Sequence, residues 1–82
     1  MASVRILYFA KVRDAVGIAE EQRDLPEDVA TVADLADLLA ADWPVFADRA
    51  RLRAAVDQVM AKFDTAIGDA REIAFFPPVT GG

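Results

Sequence analysis

One apolar stripe at helical spacing lies near the middle of this 82-residue chain and constrains its fold more than any other feature. Thr31 is suited to cap the start of a helix, with Asp34 three residues on, and Pro44 requires the helix to end at or before Trp43. A lone amphipathic helix needs a second layer to cover its apolar side, and the flanking segments must supply that layer. The stripe consists of Val32, Leu35, Ala36, Leu39 and Trp43.

Strand-like segments precede this helix. Residues 4–10 are rich in β-branched and aromatic side chains and predict a first strand. Residues 14–17 have the composition of a turn, and residues 19–25 predict a more polar strand that pairs back on the first. We therefore expect a pair of strands on the N-terminal side of the helix.

Two more strands are predicted after the helix. Residues 54–63 predict a third strand, residues 64–70 a turn, and residues 72–76 a last strand that Pro77 and Pro78 close. Residues 44–53 fit either a short helix or an irregular crossing. The order strand–strand–helix–strand–strand predicts an α+β fold in which one main helix packs on one face of a mixed sheet.

Such a sheet can hold its first and last strands side by side and parallel at its centre, which is the β-grasp layout. The order of elements alone does not distinguish this layout from other α+β sheets. We predict one domain over residues 1–76, followed by an extended tail over residues 77–82.

The residue types that the chain lacks narrow its chemistry. Without cysteine or histidine it has no thiolate nucleophile, and it lacks two of the side chains that most often bind metals. We expect no metal site and no self-contained catalytic site. The net charge of −5 disfavours nucleic acid as a partner, and no apolar run approaches the length of a membrane span, so we expect a cytoplasmic protein.

The last six residues predict a thin and stiff tail. Consecutive prolines favour an extended backbone, and the two terminal glycines have no side chain. Six extended residues reach roughly 20 Å, so the tail could enter a narrow tunnel in another protein and present its terminal carboxylate there. These residues are Pro77, Pro78, Val79, Thr80, Gly81 and Gly82.

A carboxylate on Gly82 must be activated before it can react, because it is anionic and resonance-stabilised. An acyl-adenylate would allow a sulfur donor to convert it to a thiocarboxylate, a sulfur nucleophile that needs no cysteine. The Gly-Gly pair alone is a weak signal, since chance produces it at a chain end about once in 200. By itself it also fits a frayed terminus or a cloning remnant.

The C-terminal sequence of residues 75–82, Phe-Phe-Pro-Pro-Val-Thr-Gly-Gly, resembles the signature of the small subunits of molybdopterin synthase. Residues 6–10 resemble the opening strand of that family, residues 31–35 its helix start and residues 54–57 its third strand. The resemblance covers nearly the whole chain and implies a β-grasp, ubiquitin-like fold.

Two departures from the family pattern fall outside the tail. Asp57 stands where the family more often has Asn, and Ala70-Arg71 stands where it usually has Gly-Asp. Both put the local turn and strand contacts in question.

The resemblance implies a sulfur carrier that is not an enzyme on its own. A ubiquitin-activating-like adenylyltransferase would use Mg-ATP to adenylate Gly82, and a sulfur donor protein would then give the thiocarboxylate. The tail would enter the large catalytic subunit, where sulfur passes to cyclic pyranopterin monophosphate during molybdopterin synthesis. Two carriers and two large subunits are expected to form a heterotetramer. Gly81 would serve access, and no residue of the chain would act as an acid or base.

Three alternatives stay open at this stage. A sulfur carrier for thiazole or another thio-cofactor would share the fold and the Gly-Gly end, although residues 77–80 are not expected in it. A ubiquitin-like protein modifier would instead join Gly82 to lysines of its targets. A simple interaction domain would not depend on Gly82 at all.

Strand alternation also predicts where a partner protein docks. Arg5 marks one side of the first strand as solvated, and Phe9 shares that side. In the same way, Gln58 and Lys62 mark the side of the third strand that carries Val56 and Met60, and Glu72 marks the side of the last strand that carries Phe76. If the helix covers the other face of the sheet, then Phe9, Met60 and Phe76 form an exposed apolar patch beside the tail, although a sheet covered on both faces is the open alternative.

Overall fold

The computed structural model describes residues 2–78, apart from the side chain of residue 2. Two 3-10 helices, Pro44–Ala47 and Arg49–Arg51, occupy the segment that the sequence left ambiguous. The other elements are the strands β1 (Ala2–Tyr8), β2 (Glu20–Leu25), β3 (Arg53–Val56), β4 (Val59–Ala61) and β5 (Glu72–Phe76), and the helices α1 (Ala10–Val16) and α2 (Val32–Ala40).

The strands form one mixed sheet in the order β2-β1-β5-β3-β4. The first and last strands pair in parallel at its centre, with Ile6 opposite Ile73 and Tyr8 opposite Phe75. All other neighbours are antiparallel. This arrangement confirms the predicted α+β, β-grasp fold.

Helix α2 covers one face of the sheet and starts where the sequence predicts. The hydroxyl of Thr31 accepts a hydrogen bond from the Asp34 amide at 3.1 Å, and the Asp34 carboxylate accepts one from the Thr31 amide at 3.1 Å. This reciprocal pair satisfies donors that have no partner within the helix. The helix residues Val32, Leu35, Ala36 and Leu39 are buried in one core with Val4, Ile6, Tyr8, Ile73 and Phe75 of the sheet.

Helix α1 was not predicted from the sequence, which indicated only a turn at residues 14–17. The helix has seven residues, and no side chain caps its start at Phe9. Val12 is buried on it and Val16, one turn further, packs against the core, so its apolar stripe consists of only two large side chains. The turn signal was nevertheless sound, because Gly17 has a φ of 92° and its amide closes the helix on the Arg13 carbonyl at 2.8 Å.

The predicted third strand over residues 54–63 is wrong, since this segment is a hairpin of β3 and β4. Val56 lies opposite Val59, so Asp57 and Gln58 alone form the turn. Both turn residues have positive φ, 48° and 71°, as a two-residue hairpin that follows the strand twist requires. The sequence shows no glycine at this turn, which is why alternation was read straight through it.

Candidate functional site

The chain leaves the fold at the centre of the sheet. Phe75 is fully buried in the core, Phe76 ends β5 half-buried, and Pro77 and Pro78 follow it outside any strand. The predicted sulfur-bearing end, Gly82, together with Val79, Thr80 and Gly81, lies outside the described residues. The structure therefore places the root of the predicted tail and leaves its end as a prediction.

A hollow of about 630 Å³ lies beside this root. Pro77 and Pro78 form part of its wall, together with the start of α1 and the first 3-10 helix. The two prolines are half-buried, so they run along the protein surface before the described residues end. Sequence reasoning did not find this hollow, because its walls come from three distant segments.

The face of the sheet opposite α2, called here the outer face, carries one continuous row of apolar side chains. Leu7 lies opposite Ala74, Ala74 opposite Ala55, and Ala55 opposite Met60. The two alanines are nearly buried, whereas Met60 is 65% exposed. The side chains in the middle of the row are therefore small and little exposed, whereas the side chain at the β4 end is large and exposed.

Phe9 and Phe76 border this row at the end where the tail begins. The Phe9 amide donates to the Phe75 carbonyl at 3.1 Å, one step beyond the pair of Tyr8 and Phe75. Phe9 is 48% exposed and Phe76 is half-buried. Across the sheet, Phe76 lies opposite Arg53 of β3.

Phe9, Met60 and Phe76 therefore share the outer face, as the alternation predicts. Met60 stands apart from the two phenylalanines, because β3 separates its strand from β5 and neighbouring strands are about 5 Å apart. The small residues Ala55 and Ala74 complete the apolar surface between them. Sequence reasoning missed this contribution, since only the register shows which alanines are neighbours.

One assignment on this surface is corrected by the hairpin. The alternation placed Val56 on the same side as Met60, which is wrong. Val56 lies opposite Ile73, whose side chain is fully buried, and it packs against the core. The two-residue turn restarts the alternation, so Val59 faces the side of Val56 and Met60 faces the other.

The two departures from the family pattern meet at one contact. The Asp57 carboxylate accepts hydrogen bonds from the amides of Arg71 and Glu72 at 2.9 and 3.0 Å. The Asp57 amide donates to the Glu72 carbonyl at 2.9 Å. These three hydrogen bonds join the hairpin turn to the start of β5 and hold the two segments in a fixed relative position.

The described residues offer little chemistry of their own. No group of three or more Asp and Glu side chains among residues 2–78 is arranged to hold a metal ion. The Tyr8 hydroxyl donates to Glu21 at 2.9 Å, and burial together with this contact raises the pKa of the phenol. That hydroxyl stabilises the fold at the β1–β2 pair. None of the helices formed by the described residues has the length and apolar composition of a membrane-spanning segment.

A sheet with a central parallel pair, one covering helix and a chain end that leaves its last strand defines a ubiquitin-like protein. This chain belongs to the ThiS family, whose pattern it matches over residues 6–82. It is 39% identical to the "Molybdopterin synthase sulfur carrier subunit" of Escherichia coli, with 96% of this chain and 99% of that protein covered.

Two further relatives extend this comparison. The protein of the same name from Mycobacterium tuberculosis is 35% identical, with both chains covered in full. Among solved structures, SAMP1 from Haloferax volcanii is similar with a TM-score of 0.75 and 26% identity, covering 99% of this chain and 100% of that one. The family match in sequence includes the residues of the predicted tail.

Proposed function

We propose that this chain is the sulfur carrier subunit of a molybdopterin synthase and that it acts in molybdenum cofactor biosynthesis. The observation that carries this proposal is the 39% identity, over nearly the full length of both chains, to a protein of that name. The β-grasp fold and the position of the tail root at the centre of the sheet support it.

The carrier's chemistry takes place on Gly82. Its carboxylate attacks the α-phosphate of Mg-ATP bound to a ubiquitin-activating-like adenylyltransferase, and pyrophosphate leaves. Sulfide from a donor protein then attacks the acyl carbon and displaces AMP, and the product is a thiocarboxylate. Inside the large catalytic subunit the thiocarboxylate sulfur bonds to cyclic pyranopterin monophosphate, and water cleaves the acyl C–S bond, which returns Gly82 to a carboxylate.

The folded domain holds the start of this tail in place. Phe75 anchors β5 in the core, and Pro77 and Pro78 start the tail in an extended direction. No acid or base is required from the chain itself, which is consistent with its lack of histidine and cysteine. Catalytic groups come from the partners, so the carrier is not an enzyme on its own.

The outer face is the docking surface for the large subunit. Phe9 and Met60 are its exposed apolar residues, and the half-buried Phe76 directly precedes the tail. Exposed apolar patches of this kind mark protein interfaces, and a patch beside the tail orients the tail as it docks. We expect two carriers and two large subunits to assemble into a heterotetramer.

Mass spectrometry of the intact chain tests the proposal. The chain is incubated with the activating enzyme, Mg-ATP and a sulfur donor, and one oxygen should be replaced by sulfur. Fragment spectra should place this change on Gly82. A stable isopeptide bond to a lysine of another protein would identify a modifier instead, and a sulfur atom at any other residue would contradict the mechanism.

A further inference from the structure

The two edges of the sheet differ sharply in charge. Edge strand β2 carries the acidic residues Glu20, Glu21 and Asp24, and Arg23 pairs with Glu21 at 3.3 Å. Edge strand β4 consists of Val59, Met60 and Ala61 and has no charged residue. Charges on an edge strand prevent other strands from adding to it. The β4 edge lacks this protection.

At Met60 of β4, the backbone amide and carbonyl point away from the rest of the sheet. Because Val56 and Val59 close a two-residue turn, they form a hydrogen-bonded pair, as do Ala54 and Ala61 one repeat further along. Met60 lies between these pairs, so its amide and carbonyl point away from β3. An extended segment can exchange two hydrogen bonds with Met60 without disturbing the sheet.

A hollow of about 420 Å³ adjoins this edge, and two positively charged side chains line it. It is lined by Arg53, Met60, Ala61, Lys62 and Phe63. Lys62 is exposed and makes no ion pair with any of residues 2–78. Within residues 2–78 the Arg53 guanidinium forms no ion pair and donates hydrogen bonds to two backbone carbonyls, that of Leu52 at 2.9 Å and that of Ala50 at 3.5 Å.

Apart from Asp64, the other charged side chains near the hollow are engaged by contacts elsewhere. Arg49 stacks over the Phe63 ring at 5.0 Å and pairs with Asp37, so it holds one wall in place. Asp57 is occupied by the amides of Arg71 and Glu72. Asp64 is the nearest acidic residue along the chain to Lys62 and forms no ion pair with it.

We propose that the β4 edge and this hollow bind an extended acidic segment of a partner protein by strand addition. The Met60 backbone provides the main-chain hydrogen bonds, and Lys62 and Arg53 select for carboxylates. Residues two apart on an added strand lie on one side about 7 Å apart. An apolar side chain opposite Met60 therefore brings an acidic side chain, two residues along, opposite Lys62. Thiocarboxylate formation on Gly82 does not depend on this site, whereas Met60 belongs both to it and to the proposed docking surface for the large subunit.

A short peptide of that pattern tests the site directly. The acetylated and amidated peptide Glu-Thr-Val-Thr-Glu is titrated into the isotope-labelled full chain and followed by NMR. We expect the largest shifts at the amides of Met60, Ala61 and Lys62, and weaker binding as salt increases. The matched peptide Lys-Thr-Val-Thr-Lys should not bind.

Variants separate strand addition from a general charge effect. Met60→Pro removes the outward amide while sparing the ladder, and should abolish binding. Lys62→Glu, at an exposed position that leaves the fold intact, should weaken binding about fivefold or more. Arg23→Glu makes the same charge change on the opposite edge and should leave affinity unchanged, with thermal melts confirming that each variant is folded.

The proposal is overturned by any of three results. The acidic peptide could produce no shifts at millimolar concentration, or its shifts could centre on β2 instead of β4. Alternatively, Arg23→Glu could weaken binding as much as Lys62→Glu does, which would indicate attraction to overall charge. Thiocarboxylate formation on Gly82 is measured separately, so failure of one proposal is distinguishable from failure of the other.

Discussion

Individual side chains hold the ends of the elements, and Thr31 is the clearest example. Its hydroxyl and the Asp34 carboxylate cap the start of α2 reciprocally. Thr31→Ala should lower the free energy of unfolding by about 1 kcal/mol, because the Asp34 amide loses its acceptor. Thr31→Ser keeps the hydroxyl and serves as the control in chemical denaturation. Equal losses in the two variants would contradict the capping role.

Asp34 makes part of this cap dependent on pH. The amides of Ala30 and Thr31 donate to its carboxylate and lower its pKa. Because the pKa is lower in the folded chain than in the unfolded chain, the carboxylate stabilises the fold at pH values above its unfolded-state pKa. This stabilisation is lost as the pH falls through its folded-state pKa. Asp34→Asn should therefore show a smaller acid-side fall in melting temperature than the parent. An unchanged acid limb would assign the fall to other carboxylates.

Tyr8 gives the opposite dependence at alkaline pH. Burial and the hydrogen bond to Glu21 raise the pKa of its phenol. The contribution of the phenol to folding stability is therefore complete below its pKa in the unfolded chain, and it is lost as the pH rises through its pKa in the folded chain. It is the only tyrosine in the chain, so tyrosinate absorbance reports it alone. Ionisation should coincide with unfolding at high pH. Tyr8→Phe should cost about 1 kcal/mol at neutral pH and flatten the alkaline limb.

At the scale of elements, the sheet divides its side chains between a core face and the outer face. Phe76→Ala or Phe9→Ala should weaken binding to the large subunit by more than about 1 kcal/mol, measured by calorimetric titration. Leu35→Ala on α2 should instead cost roughly 2–5 kcal/mol of folding stability, because it leaves a cavity in the core. Unchanged affinity with a collapsed melting temperature would place the phenylalanines in the core.

The β4 strand supplies a matched pair for the same measurement. Val59 and Met60 are adjacent and similarly exposed, 69% and 65%, yet they face opposite sides of the sheet. Met60→Ala should weaken binding to the large subunit, and Val59→Ala should not. Equal effects of the two substitutions would remove the outer face as the docking surface.

At the scale of the whole molecule, folding and function are predicted to be separable. Among residues 2–78 the core residues all precede Pro77, and we expect deletion of Gly82 to leave the melting temperature nearly unchanged while it abolishes sulfur transfer. One extra residue after Gly82 should have the same effect, and Gly81→Val should impair activation because a branched side chain widens the tail. A Gly82 deletion that remains fully active would refute the carrier function.

Local chemistry in the sequence determined the elements that have strong signals of their own. Thr31 and the apolar stripe that follows it predicted α2 because capping and helical periodicity act within a few residues. The first, second and last strands were predicted from residue composition and bounding turn residues, which are also local signals. The tail composition was the most specific part of the resemblance to the family. Helix α1 escaped prediction, because Val12 and Val16 alone, in seven residues, give too short a periodic signal.

Tertiary structure decided what depends on partners distant in sequence. Asp57 and Gln58 adopt positive φ in a turn without glycine, and that turn is tied to β5 through the Arg71 and Glu72 amides. The register then moved Val56 to the core face and brought Ala55 between Met60 and Ala74. A single-residue change in register exchanges the two faces of a strand, so the composition of the outer face follows from pairing between strands and cannot be read along one strand.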